Sequence, residues 1–299
     1  MEDDKMKKQN VKTAKRSKHK SQWALVWQRF RKNKLGMAGL VVITLLLVAV
    51  MASPLYLDYS KAITMNIPNA FRKPGDGSIF GTDQFGRDLF TRVMFGGRIS
   101  LTAGLVTMGI SFVVGVLLGG VAGYFGGKTD AIIMRLCDIL MAVPQTLLSM
   151  AIVAALGPGL WKMLIALSIA NIPREARSVR VCVMSMRNQE FVEAAKCYGT
   201  GNLRLIIEQI VPNILGPLVV GVMMGLGTTI LSIAGLGFLG IGVSAPTPEW
   251  GTILSENQAN IRYYQYLGVI PGLFIMISVL ALNCVGDGLR DALDPKQKK

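Results

Sequence analysis

One short run in this sequence has the residue types and spacing for phosphate chemistry. Residues 122–129 read AGYFGGKT: an Ala, four residues, then Gly127-Lys128-Thr129. With its first glycine relaxed to Ala, this fits G-x-x-x-x-G-K-[ST], a loop whose backbone N–H groups cradle phosphates. That loop works only between a buried strand and the start of a helix. Here the preceding SLTAGLVTMGISFVVGVLLGGVAGYF is 26 apolar or small residues, against about 5–6 for a typical strand. Its glycines at 104, 109, 115, 119 and 123 recur at roughly helical spacing, as small residues do where helices pack closely in lipid. No later apolar strand ends in an acidic Mg²⁺ partner. The spacing therefore predicts a helix stopped by Gly126-Gly127, Lys128 at a membrane surface, and a new helix beginning at Asp130. The motif is expected to hold no ATP.

Other reactive side chains are sparse. Cys137, Cys182, Cys197 and Cys284 show no C-x-x-C spacing, and the single His19 sits in a basic tail. Neither a disulfide nor a metal site is expected from them.

The elements that position these residues are read from composition. The chain of 299 residues is 51% hydrophobic and 17% charged, where a soluble domain carries about 25% charge. Leu35–Leu57 holds no ionisable residue over 23 positions, and about 20 apolar residues of helix span a bilayer. Five further runs follow at Leu101–Phe125, Leu140–Leu156, Leu160–Ile172, Ile214–Ile241 and Leu267–Val285. The fourth of the six in chain order, Leu160–Ile172, is short and carries Lys162. The expected fold is all-α, polytopic, with six transmembrane helices.

A formal charge of +14 raises the question of nucleic acid, but its placement fits a membrane. Twelve Lys or Arg lie in residues 1–36, directly before the first span. With six spans, 24 basic residues fall on the side of the N-terminus and eight on the other. Because Lys and Arg concentrate in cytoplasmic loops, both termini are placed in the cytoplasm. The basic tail faces lipid headgroups in this reading. Its length also sets the first span apart from a cleaved signal peptide, which has a short basic start.

The longest loop on the cytoplasmic side contains MRNQEFVEAAKCYGTGNLRLIIEQIVPNIL, residues 186–215. Phe191, Ala194, Ala195 and Tyr198 fall at i, i+3, i+4 and i+7, an apolar stripe on a short helix with Glu193 and Lys196 beside it. Gly199 and Gly201 break that helix, Asn202 can cap a second one through Ile210, and Pro212 follows. Two alanines in the stripe leave room for another protein's backbone. The residues alone fit equally well an ordinary loop packed on its own bundle.

Glu193-Ala194-Ala195, three residues, Gly199, and Pro212 thirteen positions later resemble the EAA loop of ABC importer membrane subunits. The usual Ile and Leu before the proline are Gln209 and Val211 here. FGTDQFGRDLFTRVMFGGRISL at 80–101, PTPEWG at 246–251 and GDGLRDALDP at 286–295 are similar to the branch that imports di- and oligopeptides, nickel and glutathione. The resemblance implies the second permease subunit of a bacterial inner-membrane importer, itself non-catalytic. It implies a homologous permease, two ATPases that hold ATP and Mg²⁺, and an extracytoplasmic solute-binding protein as partners. It also implies that Glu193, Ala194, Ala195, Gly199 and Pro212 couple to the ATPase.

The expected organisation is a basic tail at 1–34, a first span at 35–57 and an extracytoplasmic segment at 58–100. A permease core at 101–285 contains the coupling loop at 186–212, and a cytoplasmic tail occupies 286–299. Within 58–100, Phe85, Leu89 and Val93 opposite Arg87, Asp88 and Arg92 predict a separate interfacial helix. Trp250 is read as a membrane anchor. Mid-span there is no Asp, Glu, Lys or Arg, and the polar residues that stand out are Gln145, Thr146, Asn171, Thr228, Thr229 and Asn283. Ion-coupled carriers use intramembrane charge, so energy is expected from ATP on a partner. An ion-coupled transporter or channel and a membrane assembly factor are the alternatives.

Overall fold

Glycine sets how closely the helices of this protein approach one another. The computed structural model describes residues 22–293. The expectations for residues 1–21, His19 among them, and for 294–299 lie outside those residues. The described residues are helical with no strand, so the AGYFGGKT run has no strand before it.

The helices of eight residues or more are, in chain order, α1 (Gln22–Phe30), α2 (Lys34–Met51), α3 (Leu89–Phe125), α4 (Gly127–Met141) and α5 (Gln145–Leu156). They continue with α6 (Leu160–Met186), α7 (Glu190–Cys197), α8 (Val211–Phe238), α9 (Trp250–Asn257) and α10 (Tyr266–Leu293). Four stretches are long and apolar enough to cross a membrane: α2, α3, Asn202–Phe238 and α10. The pair α4 and α5, bent by 85° at their junction, makes a fifth if taken as one span.

The glycine row of α3 packs against α6. A Cβ at Gly115 would lie 2.6 Å from the Glu175 Cβ, and one at Gly123 would lie 2.8 Å from the Arg180 carbonyl oxygen. Gly119 faces the Ala176 carbonyl between them. Gly104 instead meets Ile230 of α8, and Gly109 faces open space. Gly39 of α2 approaches Ala281 and Cys284 of α10 in the same manner.

Contacts at the helix ends fix which ends lie together. Phe30 wedges against Gly36 and Gly288. Asn33 caps α2 through Gly36 N–H and donates to Asp291 at 2.9 Å. Gly216 touches Leu293, and Tyr124 reaches Asn202. The first residues of α2 and the last of α3 and α10 therefore share one end with the loop after α6. At the opposite end, Gly97 packs on Trp250 and Val50, Gly237 on Glu249, and the Gly159 N–H donates to the Gly242 carbonyl.

Several expected boundaries are corrected. No separate interfacial helix precedes residue 101, because Leu89–Phe125 is one helix of 37 residues. Leu89 and Val93 are buried as expected of an apolar face, but Arg87 and Arg92 are buried as well. The run at 140–156 is broken at Ala142–Pro144, since Pro144 supplies no N–H to continue α4. The short run at 160–172 grows into a helix of 27 residues. Ala176, Val179 and Val183 give its charged half a buried stripe against α3, which tertiary packing favours over a loop. Arg174, Glu175, Arg177 and Arg180 thus move from the loop into α6.

Candidate docking loop and buried polar sites

The exposed loop is built on a helix of eight residues, α7, whose sequence EFVEAAKC offers two apolar faces. The structure buries the one carrying Val192, which is inaccessible to solvent and clusters with Val179, Val183, Leu205 and Ile210; Ala195 packs at its edge. The expected stripe is thereby divided. Ala195 turns partly inward, while Phe191, Ala194 and Tyr198 stay exposed beside an exposed Glu193. Val192 was missed because the stripe was laid through its neighbours, although Val192 and Ala195 also stand at i and i+3.

The end of α7 is fixed by its backbone. Gly199 has φ +78°, its N–H donates to the Lys196 carbonyl, and the Thr200 N–H donates to the Ala195 carbonyl. This pair of bonds is the Schellman closure, which places a left-handed residue just past the helix. Gly201, with φ −64°, is the residue that caps the following turn. Asn202 was expected in that role. Its side-chain oxygen instead accepts from the Tyr124 hydroxyl at 3.0 Å, which ties the loop to the end of α3. The Lys196 ammonium lies 5.3 Å from the Tyr124 ring centre, and Arg187 donates to the Gly123 carbonyl at 3.2 Å.

Pro212 was expected after a second loop helix. It lies instead within one continuous helical stretch, Asn202–Phe238. Leu205–Ile210 is wound as a π-helix in which the Val211 N–H reaches back to Ile206. The wider winding accommodates a proline that brings no N–H of its own.

Mid-bundle polar residues find one another. Gln145 donates to Asn171 at 2.8 Å, and Asn171 approaches Thr229 at 3.5 Å. Ser111 donates to the Ser168 carbonyl at 3.2 Å. Thr228 and Asn283 line a separate cavity of about 540 Å³ with Arg174, Glu175, Ser178 and Asp287. Glu175 is buried and accepts from Arg174 Nε at 3.4 Å, while the buried Arg174 Nη2 has no partner. Arg174 and Glu175 lie in α6 just past the expected span at 160–172.

The far end of the bundle is a second polar centre. Asp83 and Arg87 pair at 2.6 Å, and both Arg87 and Arg92 pair with Glu256. Arg92 also donates to the Ala62 carbonyl at 3.3 Å. Two cations and two carboxylates balance in charge, joining the segment before α3 to α9. Such a cluster is worth little over apolar packing, but losing one member strands the others.

Trp250 is not a lipid-facing anchor. Its ring is fully buried, and its indole N–H donates to the Val93 carbonyl at 2.9 Å. Gly97 makes that seat possible, since a Cβ there would come within 2.7 Å of the ring. Glu249, also fully buried, caps α9 by accepting from the Thr252 N–H at 2.9 Å and accepts from the Ser100 hydroxyl at 2.8 Å. Burial pushes its carboxyl above the usual range despite those donors.

The AGYFGGKT run closes α3 at Gly126 and opens α4 at Gly127, with Lys128 exposed. Asp130, expected to start the helix, lies in its first turn and pairs with Arg180. Among the described residues there is no cluster of metal-ligating side chains, and the four cysteines are free thiols.

Comparison with known proteins adds sequence and fold relatives. Residues 115–299 match the family described as "Binding-protein-dependent transport system inner membrane component". Residues 21–74 match the "N-terminal TM domain of oligopeptide transport permease C". The chain is 45% identical over 278 residues to the dipeptide transport system permease protein DppC of Alkalihalophilus pseudofirmus, covering 93% of this chain and 91% of that protein. It is 40% identical to the oligopeptide transport system permease protein OppC of Bacillus subtilis, with 93% and 91% covered. A solved structure titled "Inward facing conformations of the MetNI methionine ABC transporter: CY5 native crystal form" shares the fold at a TM-score of 0.57 and 20% identity. The match covers 69% of this chain and 98% of that one.

Proposed function

Because this chain belongs to the family of inner-membrane components of binding-protein-dependent transport systems, we propose that it is the permease subunit of an ATP-driven importer of di- or oligopeptides. It pairs with a homologous permease, receives solute from a binding protein outside, and docks two ATPases from inside. It is itself non-catalytic. The peptide assignment rests on what the dipeptide and oligopeptide permeases named above are said to carry. Six crossings with both ends in the cytoplasm fit the end contacts, with α4–α5 and α6 supplying the two passes beyond the four apolar stretches.

The observation that carries the coupling role is the division of α7. Its Val192 side is locked to α6 and to the start of the Asn202–Phe238 helix, while its Phe191, Ala194 and Tyr198 side is unpartnered. A push on the exposed side is transmitted to the two helices that border the Arg174 cavity. In this reading Glu193 and Ala194 present the docking face with Phe191 and Tyr198, Ala195 backs it against the bundle, Gly199 fixes where it ends, and Pro212 sits where the loop re-enters the bundle.

Site-directed cross-linking tests this role. A cysteine at Ala194, in a background lacking exposed Cys197, should cross-link to the ATPase in the assembled complex, with a yield that changes between nucleotide-free and ATP-bound states. Absence of any ATPase adduct from an assembled complex would sink the coupling role.

An ion-coupled carrier is the second reading. Arg174 and Glu175 within α6 are charges such a carrier could use. Family membership carries the choice.

A further inference from the structure

The cavity between α6, α8 and α10 is charged, and its charges are incompletely used. Arg174 gives Glu175 one contact at 3.4 Å through Nε, leaving Nη2 buried without a partner. A Cβ at Gly225 of α8 would meet Met108 first, at 2.6 Å from its Cε, and Nη2 next, at 3.2 Å, so this nitrogen lies against α8 and Met108. On α10, Asn283 and Asp287 stand one turn apart on the cavity wall. Asp287 is exposed and forms no ion pair among the described residues. Ionisable groups at membrane depth are costly toward lipid, and they face protein or a water-filled path. Asp287, next to the Gly288 that packs on Gly36 at the loop end of the bundle, is exposed beside a half-exposed Arg174, so the cavity opens toward that end.

We propose that this cavity is where the subunit makes ionic contact with a passing zwitterionic peptide, the peptide carboxylate on Arg174 and its ammonium on Asp287. The proposal rests on the peptide-importer reading above. A guanidinium matches a carboxylate through two parallel N–H bonds, and the Arg174 side chain, 42% exposed, lines the cavity where a carboxylate would meet it. Glu175 is 8% exposed and already engaged, so it orients Arg174 and leaves the ammonium to Asp287. A volume of about 540 Å³ lies in the range of small-molecule sites, about 300–1,000 Å³. The site holds one cation and two carboxylates, so it suits a solute with opposite charges at its two ends better than a plain anion.

The test uses the whole complex in proteoliposomes, with dialanine and dialanine C-terminal amide as probes, each saturating wild-type uptake. Arg174→Gln should slow dialanine about tenfold and the amide less than twofold, while co-purifying with wild-type amounts of ATPase. Arg174→Lys should recover part of the dialanine rate. Asp287→Asn should slow dialanine while leaving N-acetyl-dialanine unchanged. Equal slowing of dialanine and the amide in Arg174→Gln, or no slowing of dialanine in either Arg174→Gln or Asp287→Asn, would overturn the site. A wild-type complex that takes up no peptide would instead overturn the peptide reading on which the site rests.

Discussion

Val192 and Tyr198 occupy opposite sides of one short helical segment: the Val192 side chain is inaccessible to solvent and Tyr198 is 90% exposed. One residue holds the loop to the bundle, and the other is left exposed. Val192→Ala should destabilise the subunit by about 1–3 kcal/mol, read as a lower melting temperature of the purified complex. Tyr198→Ala should leave stability within about 0.5 kcal/mol and reduce the ATPase retained on purification. Unchanged ATPase retention in Tyr198→Ala would remove that residue from the docking face.

Gly199 differs from the neighbouring Gly201 in conformation, not in space. Neither has an atom within 4 Å of an added Cβ, but only Gly199 has a positive φ, +78°. Gly199→Val should cost about 1–2 kcal/mol through the left-handed backbone, tilt α7 and lower ATPase retention. Asn suits the same conformation and should largely be tolerated, as should Gly201→Ala. Equal defects in Gly199→Val and Gly201→Ala would show that the turn conformation is not what matters.

How much of this was legible in the sequence varies by element. The stop at Gly126-Gly127 and the packing role of Gly104, Gly115, Gly119 and Gly123 follow from residue type and spacing, because a missing side chain has one geometric consequence. The length of α6 was hidden by REARSVR, whose charge reads as loop. Its signal was the Ala176, Val179 and Val183 spacing, which only packing against the glycine row of α3 makes decisive. Trp250 and the Arg87–Asp88–Arg92 face were read from residue type as interfacial. The burial of Trp250 depends on Gly97 and that of Arg87 and Arg92 on Glu256, far away in sequence, and no local pattern predicts such pairings; Asp88, half-buried, is held locally by Thr91. Within the candidate site the exposed Phe191, Ala194 and Tyr198 face could be read locally, but its anchor Val192 could not be told from its neighbours.

Glu249 makes stability depend on pH. Burial raises its carboxyl above the ordinary value near 4.5, so the folded chain binds this proton more tightly than the unfolded chain. Stability from this group is full below about pH 4.5 and declines as pH rises through the folded value. Glu249→Gln keeps an oxygen for the Thr252 N–H and removes the titration. Its melting temperature should therefore fall less than that of wild type across that window. An identical pH profile for the two proteins would show that Glu249 does not titrate in this way.

Topology has a direct readout. Reporters fused after residue 299 and at Gly201 should both signal cytoplasm, and one at Ser255 should signal outside. Gly201 lies at the end shared by Tyr124 and Leu293, and Ser255 lies on α9 at the other end. An outside signal from Gly201 would leave the loop no access to an ATPase.

The central claim is that ATP on partner subunits drives solute inward through this chain, and the energy source of uptake tests it most directly. Proteoliposomes containing the complete complex should accumulate labelled dialanine only with binding protein outside and ATP on the loop side, at a rate unaffected by a protonophore. Accumulation without ATP, collapsed by the protonophore, would contradict the account and favour an ion-coupled carrier.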